Sequence, residues 1–130
     1  MSFEIVVQQV IYDKLKADLS YSIFDDVPQS DNSSDFPYIT IGEDALTAVD
    51  TDTELMQRVS ITIHTWTRER GRRQCKLIQG EIYNSLNRAK LTAAGYNFIT
   101  ITGEDSISFY DPDGFTRHGV QTFNLLIEEV

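Results

Sequence analysis

A chain of 130 residues with a formal net charge of −9 has room for one core, and it is read as a single domain spanning residues 1–130. Acids outnumber bases 20 to 11, so long-range repulsion opposes phosphate backbones and no specific nucleic-acid binding is expected. Hydrophobic residues make up 41% of the chain, with seven Phe, six Tyr and one Trp, which excludes global disorder; the purely apolar runs fall far short of the ~20 residues a membrane helix needs, so no membrane association is expected.

From the N-terminus, Phe3, Val7, Val10, Ile11, Leu15 and Leu19 recur three or four apart, which predicts a helix from about residue 3 to 20 with one face on a core. Acidic and amide residues interrupt this segment where a signal peptide needs an unbroken apolar stretch, and the lone Cys75 has no intramolecular disulfide partner, so a cytosolic compartment is expected. Asp25, Asp26, Pro28, Asp31, Asn32, Ser33, Ser34 and Asp35 then form a long acidic loop with little to bury, expected to be ordered only in an assembly. The run Pro37-Tyr38-Ile39-Thr40-Ile41-Gly42 alternates and predicts a strand, with Pro tolerated at its first position. A second acidic segment covers residues 43–54. Beyond it Val59, Ile61, Ile63 and Thr65 point one way, while Arg58, Ser60, Thr62, His64 and Trp66 point the other, which is the clearest strand of the chain.

Gly71 breaks that strand, and Cys75, Ile78, Ile82, Leu86 and Ala89 fall at helical spacing, which predicts a second helix from about residue 72 to 89. Gly95 marks a turn, residues 98–102 and 107–110 read as strand, and Gly103-Glu104-Asp105 interrupts them. Asp111-Pro112-Asp113-Gly114 is a reversal signal, since Pro presets φ and Gly accepts the left-handed conformation; a last strand at about 115–128 returns on its predecessor. The class expected is α+β: an antiparallel sheet of about four strands with two helices packed on one face.

No phosphate-binding loop and no nucleophile elbow is present. Cys75 shares an apolar helical stripe with Ile78 and Ile82, which favours packing over nucleophilic use. His64 and His118 have no second ligand three or four residues away, and Asp50, Asp52 and Glu54 mimic the opening of an EF-hand, but Leu55 stands where that loop needs Gly. Asp111 and Asp113 belong to a turn. The catalytic, cofactor and metal sets are therefore empty. One constellation resists a bland reading: Arg68, Arg70, Arg72 and Arg73 crowd the start of the second helix, where cations oppose the helix dipole unless an anion meets them.

Several of these segments together carry a family likeness. An N-terminal amphipathic helix, then Phe36-Pro37-Tyr38-Ile39-Thr40-Ile41-Gly42-Glu43, an acidic and Thr-rich stretch, Ile61-Thr62-Ile63-His64-Thr65-Trp66-Thr67-Arg68, and Gly71 opening a helix resemble the phage tail-completion, or tail-to-head joining, family, whose wider fold group includes lambda-like tail terminators. That resemblance implies a structural subunit and no enzyme, with no cofactor. It further implies a homo-hexameric ring that caps the tail tube protein, ends tail growth, and offers a surface to a head-completion or connector protein. The place implied is the neck end of the virion tail, reached from the host cytoplasm during assembly. A neck connector of the same virion and a small acidic regulatory binding protein are the alternatives. Because a cyclic ring needs two complementary faces per subunit, Arg68, Arg70, Arg72 and Arg73 are expected to meet an acidic segment of a neighbour, either 25–35 or 43–54, the latter with Asp50, Asp52 and Glu54. Trp66 is expected to pack beneath a helix or loop, or else to anchor an interface.

Overall fold

In a computed structural model, the structure describes residues 3–25, 36–48 and 56–130. Alternation sets the central strand: in β3 (Met56–Thr67), Val59, Ile61, Ile63, Thr65 and Thr67 are buried while the residues between them are half exposed. β3 pairs antiparallel with β6 (Arg117–Glu129) along its whole length, Val59 opposite Leu125 and Ile61 opposite Phe123, so the buried residues of both strands fall on one face. β6 pairs antiparallel with β5 (Tyr96–Tyr110), and β3 with β2 (Tyr38–Ala48). Two short strands finish the sheet: β1 (Ser22–Phe24), parallel to β2, and β4 (Thr92–Ala93), antiparallel to β5. The order is β1-β2-β3-β6-β5-β4.

Two helices cover one face. α1 (Phe3–Asp18) packs over β2 and β3 and contributes Val6, Val7, Ile11 and Leu15; α2 (Arg73–Leu86) packs over β3, β5 and β6 and contributes Cys75, Ile78, Gln79, Ile82 and Leu86. These meet Ile39, Ile41, Val59, Ile61, Ile63, Ile101, Phe123, Leu125 and Ile127 in a continuous core, where each fully buried large side chain contributes about 1.5–3 kcal/mol. α2 lies so close to β6 that a Cβ at Gly119 would stand 2.5 Å from Nε2 of Gln79 and 2.9 Å from Sγ of Cys75.

The α+β class and the two helices agree with the sequence, but among the described residues the sheet has six strands where about four are expected. β2 does not stop at Gly42. A bulge between Ile41 and Asp44 absorbs Gly42 and Glu43, and the strand continues through part of the acidic segment. Likewise Gly103-Glu104-Asp105 does not interrupt β5, because a register shift between Gly103 and Asp105 carries the ladder through. The second helix ends before Ala89: Asn87 is extended and Arg88 takes φ 60°. Residues 26–35, most of the first acidic loop, lie outside the described residues.

Candidate functional site

At one end, the sheet face away from the helices carries a cluster of rings, with Tyr38 and Thr40 buried and Trp66, His64 and His118 half-buried. Trp66 of β3 sits opposite His118 of β6 and stacks on it, centroids 3.8 Å apart and 14° from parallel. Tyr38 of β2 stacks on the other side at 6.1 Å, and the indole N–H donates to Oγ1 of Thr40 at 3.1 Å. Trp66 thus packs against cross-strand rings on the helix-free face and not beneath a helix. Nδ1 of His64 lies 2.6 Å from Nε2 of His118. The outer nitrogens face carboxylates: Nε2 of His64 is 3.0 Å from Glu43, and Nδ1 of His118 is 3.6 Å from Asp111. The result is a four-group chain, Glu43–His64–His118–Asp111. Hydrogen bonding to His64 holds the Glu43 carboxyl below its usual range, and burial, then the charge of His64, pull His118 down.

At the same end of the sheet the arginines gather. The guanidinium of Arg68 is held between Phe36 at 4.2 Å and Phe115 at 4.9 Å, with its Nε–H donating to Oγ1 of Thr116 at 3.1 Å; such stacking holds a charged fork in a fixed place. Thr116 is itself fixed by the turn, whose Asp113 accepts from the backbone N–H groups of Phe115 and Thr116. Gly114, at φ 81°, closes that turn onto Asp111. Arg117, the first residue of β6, lies across from Thr67 with its guanidinium 3.8 Å over the ring of Tyr110. A hydrogen bond from Arg117, with the charges of Arg72 and Arg70, lowers the Tyr110 phenol. Arg70, Arg72 and Arg73 are exposed, and α2 begins with Arg72 as N-cap, which makes no side-chain cap hydrogen bond, and with no acid in its first turn.

Of the residues singled out by sequence, then, Trp66, Arg68, Arg70, Arg72 and Arg73 lie toward one end of the sheet, whereas Asp50, Asp52 and Glu54 lie outside the described residues. Cys75 is buried beneath α2, and burial pushes its thiol up. Among the described residues no group of three or more His, Cys, Asp or Glu is placed to hold a metal ion, and no helix is long and apolar enough to cross a membrane. Sequence reasoning missed the His64–His118 pair and the roles of Arg117 and Tyr110. Each joins residues on different strands, with His64 and His118 54 positions apart; the one local signal was the Asp111–Gly114 reversal, which brings Arg117 opposite Tyr110.

This geometry offers binding surfaces and a proton-sensitive pair. The family model described as tail completion protein gp17 matches residues 9–128. No curated protein matches the chain. Among solved structures, a chain of the virion of a native gene transfer agent (GTA) particle is 16% identical with a TM-score of 0.85, covering 98% of this chain and 99% of that one. The gp17 protein of bacteriophage SPP1 is 18% identical with a TM-score of 0.58, covering 92% of this chain and 87% of that one. At such identities the two structures speak for a shared fold.

Proposed function

We propose that this chain, which belongs to the tail completion protein gp17 family, is a structural subunit of a phage or phage-like tail that forms a homo-hexameric ring on the tail tube, ends its growth and presents the surface to which the head side attaches. The observation that carries this reading is the family match over residues 9–128; the likeness in fold to a chain of a GTA virion and to the gp17 protein of bacteriophage SPP1 agrees with it. The work of such a subunit is binding, not catalysis. Its partners are its own copies, the tail tube protein and a head-completion or connector protein, and its place is the neck end of the tail.

Within the ring, the arginine end meets the acidic segment of the next subunit, Arg68, Arg70, Arg72 and Arg73 facing the stretch that carries Asp50, Asp52 and Glu54. Head-to-tail closure requires two different patches per subunit, and arginine forks suit carboxylates at interfaces. Electron microscopy of tails made with and without the gene tests the assignment. Abnormally long tails in its absence are the expected result; tails of normal length that merely lack heads would make this a joining protein instead. For the interface, Arg70→Glu, Arg72→Glu and Arg73→Glu combined are expected to weaken ring formation in sedimentation while circular dichroism stays native, and unchanged assembly would remove the arginine end from the interface.

A further inference from the structure

The three gaps in the chain Glu43–His64–His118–Asp111 are unequal. Nε2 of His64 stands 3.0 Å from the Glu43 carboxylate, and Nδ1 of His64 stands 2.6 Å from Nε2 of His118, both hydrogen-bond distances. Nδ1 of His118 and the Asp111 carboxylate are 3.6 Å apart, beyond that range. These distances set the tautomers. An ionised carboxylate only accepts, so the His64 proton lies on Nε2; Nδ1 of His64 is then a bare acceptor, and the proton of His118 lies on Nε2 to reach it. That leaves Nδ1 of His118 presenting a lone pair to the Asp111 carboxylate. Two acceptors face each other there, which accounts for the wider gap.

Two neutral imidazoles thus carry two protons for three gaps. A third proton, taken from solvent at Nδ1 of His118, completes the series. The charges that act on His118 are those of His64 on β3, Asp111 at the end of β5 and Glu43 on β2, while β5 and β3 bring the rings of Phe109 and Trp66 against it. Burial, then the charge of His64, holds His118 below the ordinary histidine range, so Nδ1 is bare at neutral pH. Asp111, for its part, belongs to a hydrogen-bonded turn. Its N–H donates to the carbonyl of Thr116, its carbonyl accepts from Gly114, and Asp113 accepts from the N–H groups of Phe115 and Thr116. The same turn seats Arg68, whose Nε–H donates to the Thr116 hydroxyl and whose guanidinium lies over the Phe115 ring.

We propose that His118 and Asp111 form a proton-operated latch: a proton bound at Nδ1 of His118 draws the Asp111 carboxylate into a hydrogen bond, and the 111–116 turn carries that closure to the seat of Arg68. The proton places a charged donor where a lone pair stood, so repulsion becomes attraction at the same spot. That Arg68 then faces a neighbouring subunit rests on the ring reading above; the latch itself does not.

Heteronuclear NMR of the purified chain, with histidine and arginine nitrogens labelled, reads each step from about pH 8 to about pH 5, the range a histidine spans. At the upper end both Nε2 atoms are expected to carry the protons, with scalar coupling across the hydrogen bond between Nδ1 of His64 and Nε2 of His118. On acidification Nδ1 of His118 is expected to protonate before Nδ1 of His64, and the Arg68 Nε–H signal to move with the same midpoint. Asp111→Asn supplies an amide N–H that bonds the bare Nδ1 without a proton, so the latch is closed throughout and the Arg68 signal no longer follows His118; the same spectra report that the variant is folded. Protons on the other nitrogens, an Arg68 signal that ignores His118, or an Arg68 titration unchanged in Asp111→Asn overturns the latch. In a second arm, sedimentation over the same range is expected to show assembly of the unaltered chain strengthening several-fold as pH falls, with a flatter response in Asp111→Asn. Equal pH dependence in the two chains would reject the link from the latch to assembly. A chain that assembles at no pH would remove the ring reading, while the NMR result stands.

Discussion

Two imidazole nitrogens 2.6 Å apart share one proton and cannot comfortably hold two, and that sets a pH dependence for the helix-free face. Burial and the charge of His64 lower the pKa of His118, against the opposing pull of Asp111 and Glu43. The sign follows directly. The unfolded chain, with an ordinary histidine near 6.5, takes up this proton at a higher pH than the fold does, so the stabilisation is whole above that value and is lost as pH falls towards the lowered value in the fold. Chemical denaturation midpoints are expected to drop between pH 7 and pH 5. Trp66 emission should change over the same range, since its ring stacks on His118 at 3.8 Å. A His118→Gln chain that keeps the full pH slope would exonerate the pair. None of this was legible in the sequence. There each histidine looked solitary, because only the register of β3 on β6 makes them neighbours.

Among elements, α2 is positioned by two opposing requirements. It sits tightly on the sheet at Gly119, where a Cβ would meet Gln79 and Cys75, so Gly119→Ala is expected to cost about 1–3 kcal/mol by overpacking, read from urea unfolding. Its N-terminus, in contrast, is poorly finished for a free helix. Arg72→Ser removes an opposed charge, while the helical dihedrals at this position (φ −102°, ψ −13°) leave a serine unable to cap, so the free chain should gain only about 0.3–1 kcal/mol in the same assay. A loss of stability in that variant would mean that Arg72 already has a stabilising role in the free chain. The helices and the central strand were legible because each is written in an uninterrupted local period. The missing lengths of β2 and β5 were not, since acids at a bulge mimic a loop: Glu43 and Asp44 in one strand, Glu104 and Asp105 in the other. β1, three residues long and parallel to β2, is too short to show any period.

At the scale of the molecule, charge gathers at one end of the sheet, while exposed apolar side chains run along β5. The arginine run is consecutive in sequence and so was legible, whereas Arg117 and Tyr110 join it only through the β5–β6 pairing. Beside them β5 is an outer strand: β4 pairs with Tyr96 and Asn97 alone, and beyond these no strand covers its edge among the described residues. Gln79 caps one carbonyl there, donating to Ile107 at 2.9 Å, yet the Ile107 side chain is 58% exposed and Ile99 and Phe109 are exposed too. Such an edge is a ready contact surface. Contacts at the arginine end mainly steer and orient association and are screened by salt, so affinity must also come from apolar burial. Two variants separate the contributions in sedimentation across a sodium chloride series. Arg70→Glu is expected to weaken assembly most at low salt and to flatten the salt dependence. Ile107→Lys, at a surface position where folding stability should move by no more than about 0.5 kcal/mol, is expected to weaken assembly at every salt concentration. Native-like assembly of Ile107→Lys would remove the β5 edge from the interface and leave the apolar contribution to another surface of the subunit.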